Sequence, residues 1–106
     1  MQREFIRVLK IIPGEHPEET KIKTSLSDLQ QCVDGYIEFV ELEEGCVLMC
    51  NEEGKIRGLE PNRILGDDIV VGNIFIFRID DDGDADSLTD DDVKKYMNLF
   101  YEPIGR

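Results

Sequence analysis

Short apolar runs separated by turn residues organise the chain, and the first run predicts a buried strand. Phe5 to Ile12 (FIRVLKII) is apolar on both faces apart from two basic residues, as in a central strand. Thr20 to Lys23 alternates polar residues with Ile22, which predicts an edge strand that returns beside the first. The N-terminal part is therefore expected to be a β-hairpin.

A short amphipathic helix is predicted next. Ser25 followed by Asp28 has the spacing of an N-cap residue and the third helical residue that answers it. The apolar residues at helical spacing are Leu26, Leu29 and Val33. Asp34-Gly35 is expected to end the helix, because glycine readily adopts the left-handed conformation of a C-cap.

More strands are predicted in the middle of the chain. Tyr36 to Leu42 and Cys46 to Cys50 are strand-like runs on either side of Glu43-Glu44-Gly45, a hairpin signal. Ile56 to Leu59 is a candidate for an additional strand. Glu60 to Arg63 is expected to break regular structure, because its proline lacks an amide donor.

The C-terminal third predicts a strand, an acidic loop and a helix. Ile69 to Ile79 is split by Gly72-Asn73, and its second half is a convincing strand. An acidic loop is expected over residues 80–88, and Thr89 with Asp92 then repeats the capping-box spacing. The apolar stripe of this helix consists of Val93, Tyr96, Met97 and Phe100.

The elements are therefore predicted in the order β-β-α-β-β-(β)-β-α. This order indicates an α+β fold, a small mixed or antiparallel sheet with two helices. A length of 106 residues suits one domain, and a hydrophobic fraction of 41% is enough to close one core. We expect a single domain over residues 1–106.

The charge of the chain is strongly negative. There are 24 acidic and 12 basic residues, a net charge of −12, and residues 80–106 carry 9 acids against 3 bases. Such a surface repels phosphates, so direct binding to nucleic acid or to an anionic membrane is disfavoured. A basic protein surface is the expected electrostatic partner. The oligomeric state is left open.

The cysteine count bears on the compartment. Cys32, Cys46 and Cys50 make an odd number, no secretory signal is recognisable, and the apolar runs are too short to span a membrane. We expect free thiols and a cytoplasmic protein. Cys46 and Cys50 lack the tighter pairing that zinc sites prefer, so buried cysteines are the better interpretation.

The aspartates near the C-terminus are the most prominent charged feature. As a calcium loop they are out of register, since Gly83 at the required sixth position puts Arg78 at the first ligand site. A solvated loop before a capped helix is the simpler interpretation. If the run shares one face, its spacing approximates duplex phosphates, and a basic nucleic-acid channel is its expected target. The candidate partner-binding residues are Asp80, Asp81, Asp82, Asp84, Asp86, Asp90 and Asp91.

No catalytic machinery is recognisable. The single histidine, His16, has no neighbouring Ser or Cys, and no glycine-rich phosphate loop is present. We expect no enzymatic activity, no catalytic residue, no cofactor and no metal.

Polar residues at apparent strand ends are a second candidate site. Turn chemistry explains most of them, but an arginine in an acidic protein can clamp a carboxylate or phosphate, or can form a structural ion pair. The candidate ligand-binding residues are Asn51, Glu52, Arg57, Asn62 and Arg63.

Several segments resemble a known family. These are the opening RVLKIIPG, the helix end Val33-Asp34-Gly35 followed by YIEFVEL, and the pair CNEEGK and GLEPNR. Together they resemble domain of unknown function 3846 over nearly the whole chain, although Asp80 to Asp92 is more acidic than that family suggests. The resemblance implies a small bacterial or phage protein, often carried on mobile elements, and it supplies no catalytic residues.

Two functions are therefore expected in order of preference. The first is an interaction protein that inhibits a host defence nuclease or a DNA-binding protein through an acidic, nucleic-acid-mimicking face. The second is a binding protein for a small, nucleotide-like ligand, with a pocket near Asn62 and Arg63.

Overall fold

The computed structural model describes residues 4–43 and 45–104, and this part of the chain forms eight strands and two helices. The strands are β1 (Phe5–Ile11), β2 (Glu18–Lys23), β3 (Ile37–Glu41), β4 (Cys46–Asn51), β5 (Pro61–Leu65), β6 (Asp68–Val71), β7 (Ile74–Ile79) and β8 (Ala85–Asp86). The helices are α1 (Leu26–Val33) and α2 (Asp90–Leu99).

The strands pair throughout in antiparallel fashion. The main sheet has the order β2-β1-β7-β4-β3, with β8 paired to β7, and β5 and β6 form a separate two-stranded sheet. The predicted α+β class and the predicted hairpins β1–β2 and β3–β4 are confirmed. Glu44, which the sequence assigns to the second hairpin signal, lies outside the described residues.

The main sheet is covered on both faces, and side chains alternate between them. In β7, Ile74 and Ile76 belong to a core cluster with α2 and β6, whereas Phe75 and Phe77 pack with α1. We call these the α2 face and the α1 face. The central position of β1 leaves Val8, the strand's midpoint, fully buried, as its two-sided apolar pattern predicts.

Both helices begin at the predicted caps. The Ser25 hydroxyl accepts the amide of Asp28, and at α2 the Thr89 hydroxyl and the Asp92 carboxylate complete a capping box. The end of α1 differs from the prediction. Asp34, with φ 57°, occupies the left-handed C-cap position that the sequence predicts for Gly35. Aspartate tolerates this conformation better than most residues with a side chain.

Two predictions between residues 56 and 63 are wrong. Residues 56–59 form turns instead of a strand, with the amide of Arg57 donating to the Glu53 carbonyl. Glu60 to Arg63 does not end regular structure, since β5 begins at Pro61. A proline at the first strand position costs no essential ladder bond. A bulge after Pro61 leaves Asn62 outside the β5–β6 pairing.

The acidic loop over residues 80–88 contains more order than predicted. Ala85 and Asp86 form a short strand on the end of β7. The Asp80 carboxylate accepts the amides of Asp82 and Asp84, each at 2.9 Å, and thereby closes the connecting turn. The part of this run nearest β7 is therefore a structured hairpin.

Candidate functional site: an apolar groove beside the acidic hairpin

Asn62 and Arg63, the centre of the predicted ligand pocket, lie inside the fold. Asn62 is fully buried, and its Nδ2 donates to the carbonyls of Ile11 at 2.9 Å and Gly72 at 2.7 Å. The bulge in β5 places it there, since a residue outside the ladder is free to turn its side chain inward. Asn62 therefore links the main sheet to the β6–β7 turn.

Arg63 is only 2% exposed and is bonded to backbone carbonyls. Its Nε donates to the Phe100 carbonyl at 2.7 Å and its Nη2 to the Glu15 carbonyl at 2.5 Å, while Nη1 donates to the carbonyl and Oδ1 of Asn62. Burial lowers the pKa of Arg63. The guanidinium joins the end of α2 to the β1–β2 turn, where the sequence suggested a ligand clamp or an ion pair.

Asn51 and Arg57 together cap the C-terminus of α1. Asn51 Nδ2 donates to the Val33 carbonyl at 2.9 Å and to the Asp34 carbonyl at 3.2 Å, and Arg57 Nη1 donates to the Asp34 carbonyl at 2.6 Å. These bonds satisfy carbonyls that a helix end leaves without intrahelical partners. The fifth candidate, Glu52, is exposed and lines a cavity on the sheet surface that neither Asn62 nor Arg63 lines. The five candidates are thus not gathered around one ligand pocket.

The aspartate run also has mixed roles. Asp90 forms an ion pair with Arg7 at 2.6 Å, and the Asp86 carboxylate accepts the amide of Ser87. Asp81 and Asp91 are exposed and have no ion pair among the described residues. The run therefore combines structural carboxylates with exposed ones and is not a uniform row of unpaired charge.

Asp92, the last aspartate of the run, is buried beneath the others. Its carboxylate binds the Arg78 guanidinium through two bonds of 2.5 and 2.9 Å while it caps α2. The bond to Arg78 is the main reason that the pKa of Asp92 falls to about 2. This pair anchors the start of α2 to β7.

An apolar groove of about 720 Å³ opens on the α1 face, where α1 covers only part of the sheet. Its floor is formed by Ile37, Phe39, Val47, Phe77 and Ile79. One wall is the N-terminal part of α1, and the other is the acidic hairpin at residues 83–85. We call this cavity the α1-face groove.

Large apolar side chains are exposed at this groove. Leu26 is 68%, Tyr36 64% and Phe39 51% exposed, and the Phe39 ring packs edge-on against Phe77 at 6.2 Å. Asp84 and Glu52 are part of the lining, and none of the described lysines or arginines lines it. The groove therefore offers an apolar surface in an acidic setting.

The sequence interpretation named Asp84 among its partner-binding candidates and did not name the apolar residues of this groove. Phe39 belongs to an alternating strand and Leu26 to a helical stripe, and both patterns are equally typical of core residues. The only available signal was that YIEFVEL carries large apolar residues at both odd and even positions, so both faces of the predicted strand are apolar.

Comparison with known families gives a match over most of the chain. A family model described as "Domain of unknown function (DUF3846)" matches residues 6–101. The chain belongs to this family. No curated protein and no solved structure matches it.

Buried residues of two segments that carry the likeness to DUF3846 serve the fold in this chain. CNEEGK contributes Asn51, which caps α1, and GLEPNR contributes Asn62 and Arg63, which bind carbonyls of distant segments. All three residues are buried polar groups whose hydrogen bonds are satisfied within the protein. The family segments also contribute to the groove, since Phe39 belongs to YIEFVEL and Glu52 to CNEEGK, whereas Asp84 lies outside them.

The cysteines of this DUF3846 protein are free thiols that are weaker acids than an ordinary cysteine. Burial raises the pKa of Cys32 and Cys46, and that of Cys50 to about 11. Within the described ranges, no group of three or more His, Cys, Asp or Glu is placed to hold a metal ion. No helix in residues 4–43 and 45–104 is long and apolar enough to cross a membrane.

Proposed function

We propose that this DUF3846 protein is a non-enzymatic interaction protein that binds a basic partner through the α1-face groove and the adjoining acidic hairpin. The exposed apolar floor beside Asp84 supports this proposal most directly. Contiguous exposed apolar surface in a soluble domain commonly marks a binding site.

The apolar and acidic parts supply different components of binding. Covering Phe39 and Tyr36, which are 51% and 64% exposed, removes aromatic surface from water. Full burial of such a side chain is worth about 1.5–3 kcal/mol, so partial further burial contributes less. The carboxylates add long-range attraction, which accelerates association and selects basic partners.

The preferred partner class is a nuclease or DNA-binding protein, and the proposed effect is inhibition. Such proteins present basic channels, and a chain of net charge −12 competes with the phosphates that enter them. The phage or mobile-element setting that the family resemblance implies is consistent with an anti-defence role in the cytoplasm. The ordered hairpin at Asp80 lowers the entropic cost of presenting its carboxylates.

Capture of partners from a bacterial lysate tests the proposal. The tagged wild-type protein is expected to retain a basic DNA-binding protein at low salt and to release it at high salt, because screening weakens exposed charge pairs. Competition of that partner's nucleic acid against the tagged protein then measures inhibition. Failure to capture such a protein at either salt would contradict the proposal.

Matched variants separate the groove from general surface effects. Phe39→Ser is expected to weaken binding about tenfold or more, as loss of an aromatic anchor does. Ile64→Ser is its control, because Ile64 is 62% exposed and does not line the groove. Asp81→Asn with Asp84→Asn is compared with Glu60→Gln and Asp67→Asn, an equal charge change at exposed acids outside the groove. If each groove variant weakens partner binding no more than its control does, this assignment of the surface is refuted.

A further inference from the structure

The outer edge of β3 borders the α1-face groove and carries unpaired backbone groups. Among the described residues β3 pairs only with β4. The amide of Glu52 donates to the Tyr36 carbonyl and that of Leu42 to the Cys46 carbonyl, which sets the alternation of the ladder between them. In an antiparallel pair the intervening odd-numbered residues point their backbone groups away from the partner strand. Those residues are Ile37, Phe39 and Glu41.

The opposite edge of the sheet, β2, is different. Its exposed positions are all charged, namely Glu18, Glu19, Lys21 and Lys23. Charged side chains of this kind, especially lysine, discourage further strand pairing. On β3 an exposed position is instead occupied by Phe39. The chain thus protects one edge of its sheet with mixed charge and leaves an aromatic side chain on the other.

Clefts on both faces flank the β3 edge. Phe39 lines the α1-face groove, and the next residue, Val40, lines a cleft of about 540 Å³ on the α2 face, which we call the α2-face cleft. The α2-face cleft also contains Leu42, Val70 and Tyr96. Side chains of an added strand alternate between the faces, so each set has a cleft to enter.

Charge decides which kind of strand fits. Glu38 lines the α2-face cleft, and Glu41 lies two residues beyond Phe39 in the same strand. Neither has an ion pair among the described residues, whereas the nearby Glu43 is paired with Lys95. A second copy of this chain would bring a further net charge of −12 towards Glu38 and Glu41, which disfavours its approach. A strand with lysine or arginine is favoured instead.

We infer that β3 is a docking edge for an extended, basic segment of a partner protein, which joins the main sheet as an additional strand. Apolar side chains of this segment enter the α1-face groove beside Phe39, and its basic side chains lie on the α2 face beside Glu38. The inference rests on the proposed function and specifies its binding mode.

A blocked heptapeptide of alternating valine and lysine is a suitable probe, because β3 spans 5 residues. Amide exchange measured by NMR is expected to slow about tenfold or more at Ile37, Phe39 and Glu41 when the peptide is added. N-methylation of the peptide amides that face β3 is expected to abolish binding, and N-methylation of the alternate amides to preserve it. A peptide of the same composition with its lysines and valines in two blocks serves as the control.

Two variants of one residue test the edge from the protein side. Glu41→Gln removes the charge alone, whereas Glu41→Pro also removes the outward amide and leaves the bonds to β4 in place. Thermal melts establish that both variants are folded. The proline variant is expected to bind the peptide about tenfold more weakly than the glutamine variant.

The outcomes distinguish the inference from the proposed function. No binding of the alternating peptide, equal effects of the two N-methylation patterns, or equal affinities of Glu41→Gln and Glu41→Pro would overturn strand addition. If lysate capture still depends on Phe39 and Asp84, the proposed function stands without it. If the peptide slows exchange of the β3 amides but substitution of Phe39 and Asp84 does not change lysate capture, the proposed function alone would be refuted.

Discussion

Arg63 offers a direct test of the structural role assigned to the GLEPNR motif, through the substitution Arg63→Met. Methionine keeps much of the apolar stem and removes all four hydrogen bonds of the guanidinium. The carbonyls of Phe100 and Glu15 then lose a buried donor. We expect the substitution to destabilise the protein, with no ligand present.

The magnitude follows from two opposing effects. Each orphaned buried acceptor costs about 1–3 kcal/mol. Among the described residues no carboxylate is hydrogen-bonded to Arg63, so removal of this buried cation regains part of that loss, consistent with its lowered pKa. The expected net destabilisation is about 2–4 kcal/mol, a large fraction of the stability of a small domain.

Arg57→Met is the matched control, because Arg57 also donates to a backbone carbonyl but its side chain is 39% exposed. Water can replace its bonds, and Asn51 still donates to the Asp34 carbonyl. The expected cost is about 0–1 kcal/mol. Urea unfolding followed by circular dichroism measures both variants, with the slope checked for constancy. If the two variants are equally stable, the structural role assigned to Arg63 is wrong.

Three further predictions concern the buried pair, the helix cap and the thiols. The pKa of Asp92 is about 2, below its ordinary 3.8. The ionised carboxylate therefore stabilises the folded protein above pH 3.8, and this stabilisation is lost as the pH falls towards 2. Asp92→Asn should therefore cost about 2–4 kcal/mol at pH 7, because it removes the charged partner of two Arg78 hydrogen bonds. In urea titrations it should also reduce the loss of stability below pH 3.8, and an unchanged loss at low pH would contradict this. Thr89→Ala should lower the free energy of unfolding by about 1 kcal/mol in the same assay, and no change would show that the capping box is energetically neutral. Native Cys50, with a pKa of about 11, should react with a thiol reagent at pH 8 more slowly than the half-buried Cys32, and similar rates would mean that burial does not protect it.

The roles of the family motifs explain why their residues suggested a ligand site. Buried asparagine and arginine satisfy backbone carbonyls with the same donors that bind phosphates and carboxylates. Residue type alone does not distinguish the two uses. Arg63 becomes a structural residue because the β5 bulge and the end of α2 bring backbone carbonyls to it. One of these carbonyls belongs to Phe100, which lies 37 residues further along the chain.

The sequence by itself determined the elements whose signals are local. Ser25 and Thr89 predict helix starts because their hydroxyls bind amides three residues away, and the two-sided apolar pattern of β1 predicts its central position. Only the tertiary structure decided that β7 lies between β1 and β4, that Arg63 is buried, and that the acidic hairpin borders an apolar groove. The reason is physical: capping and periodicity act within a few residues, whereas strand order and burial depend on contacts between segments that are far apart in the chain.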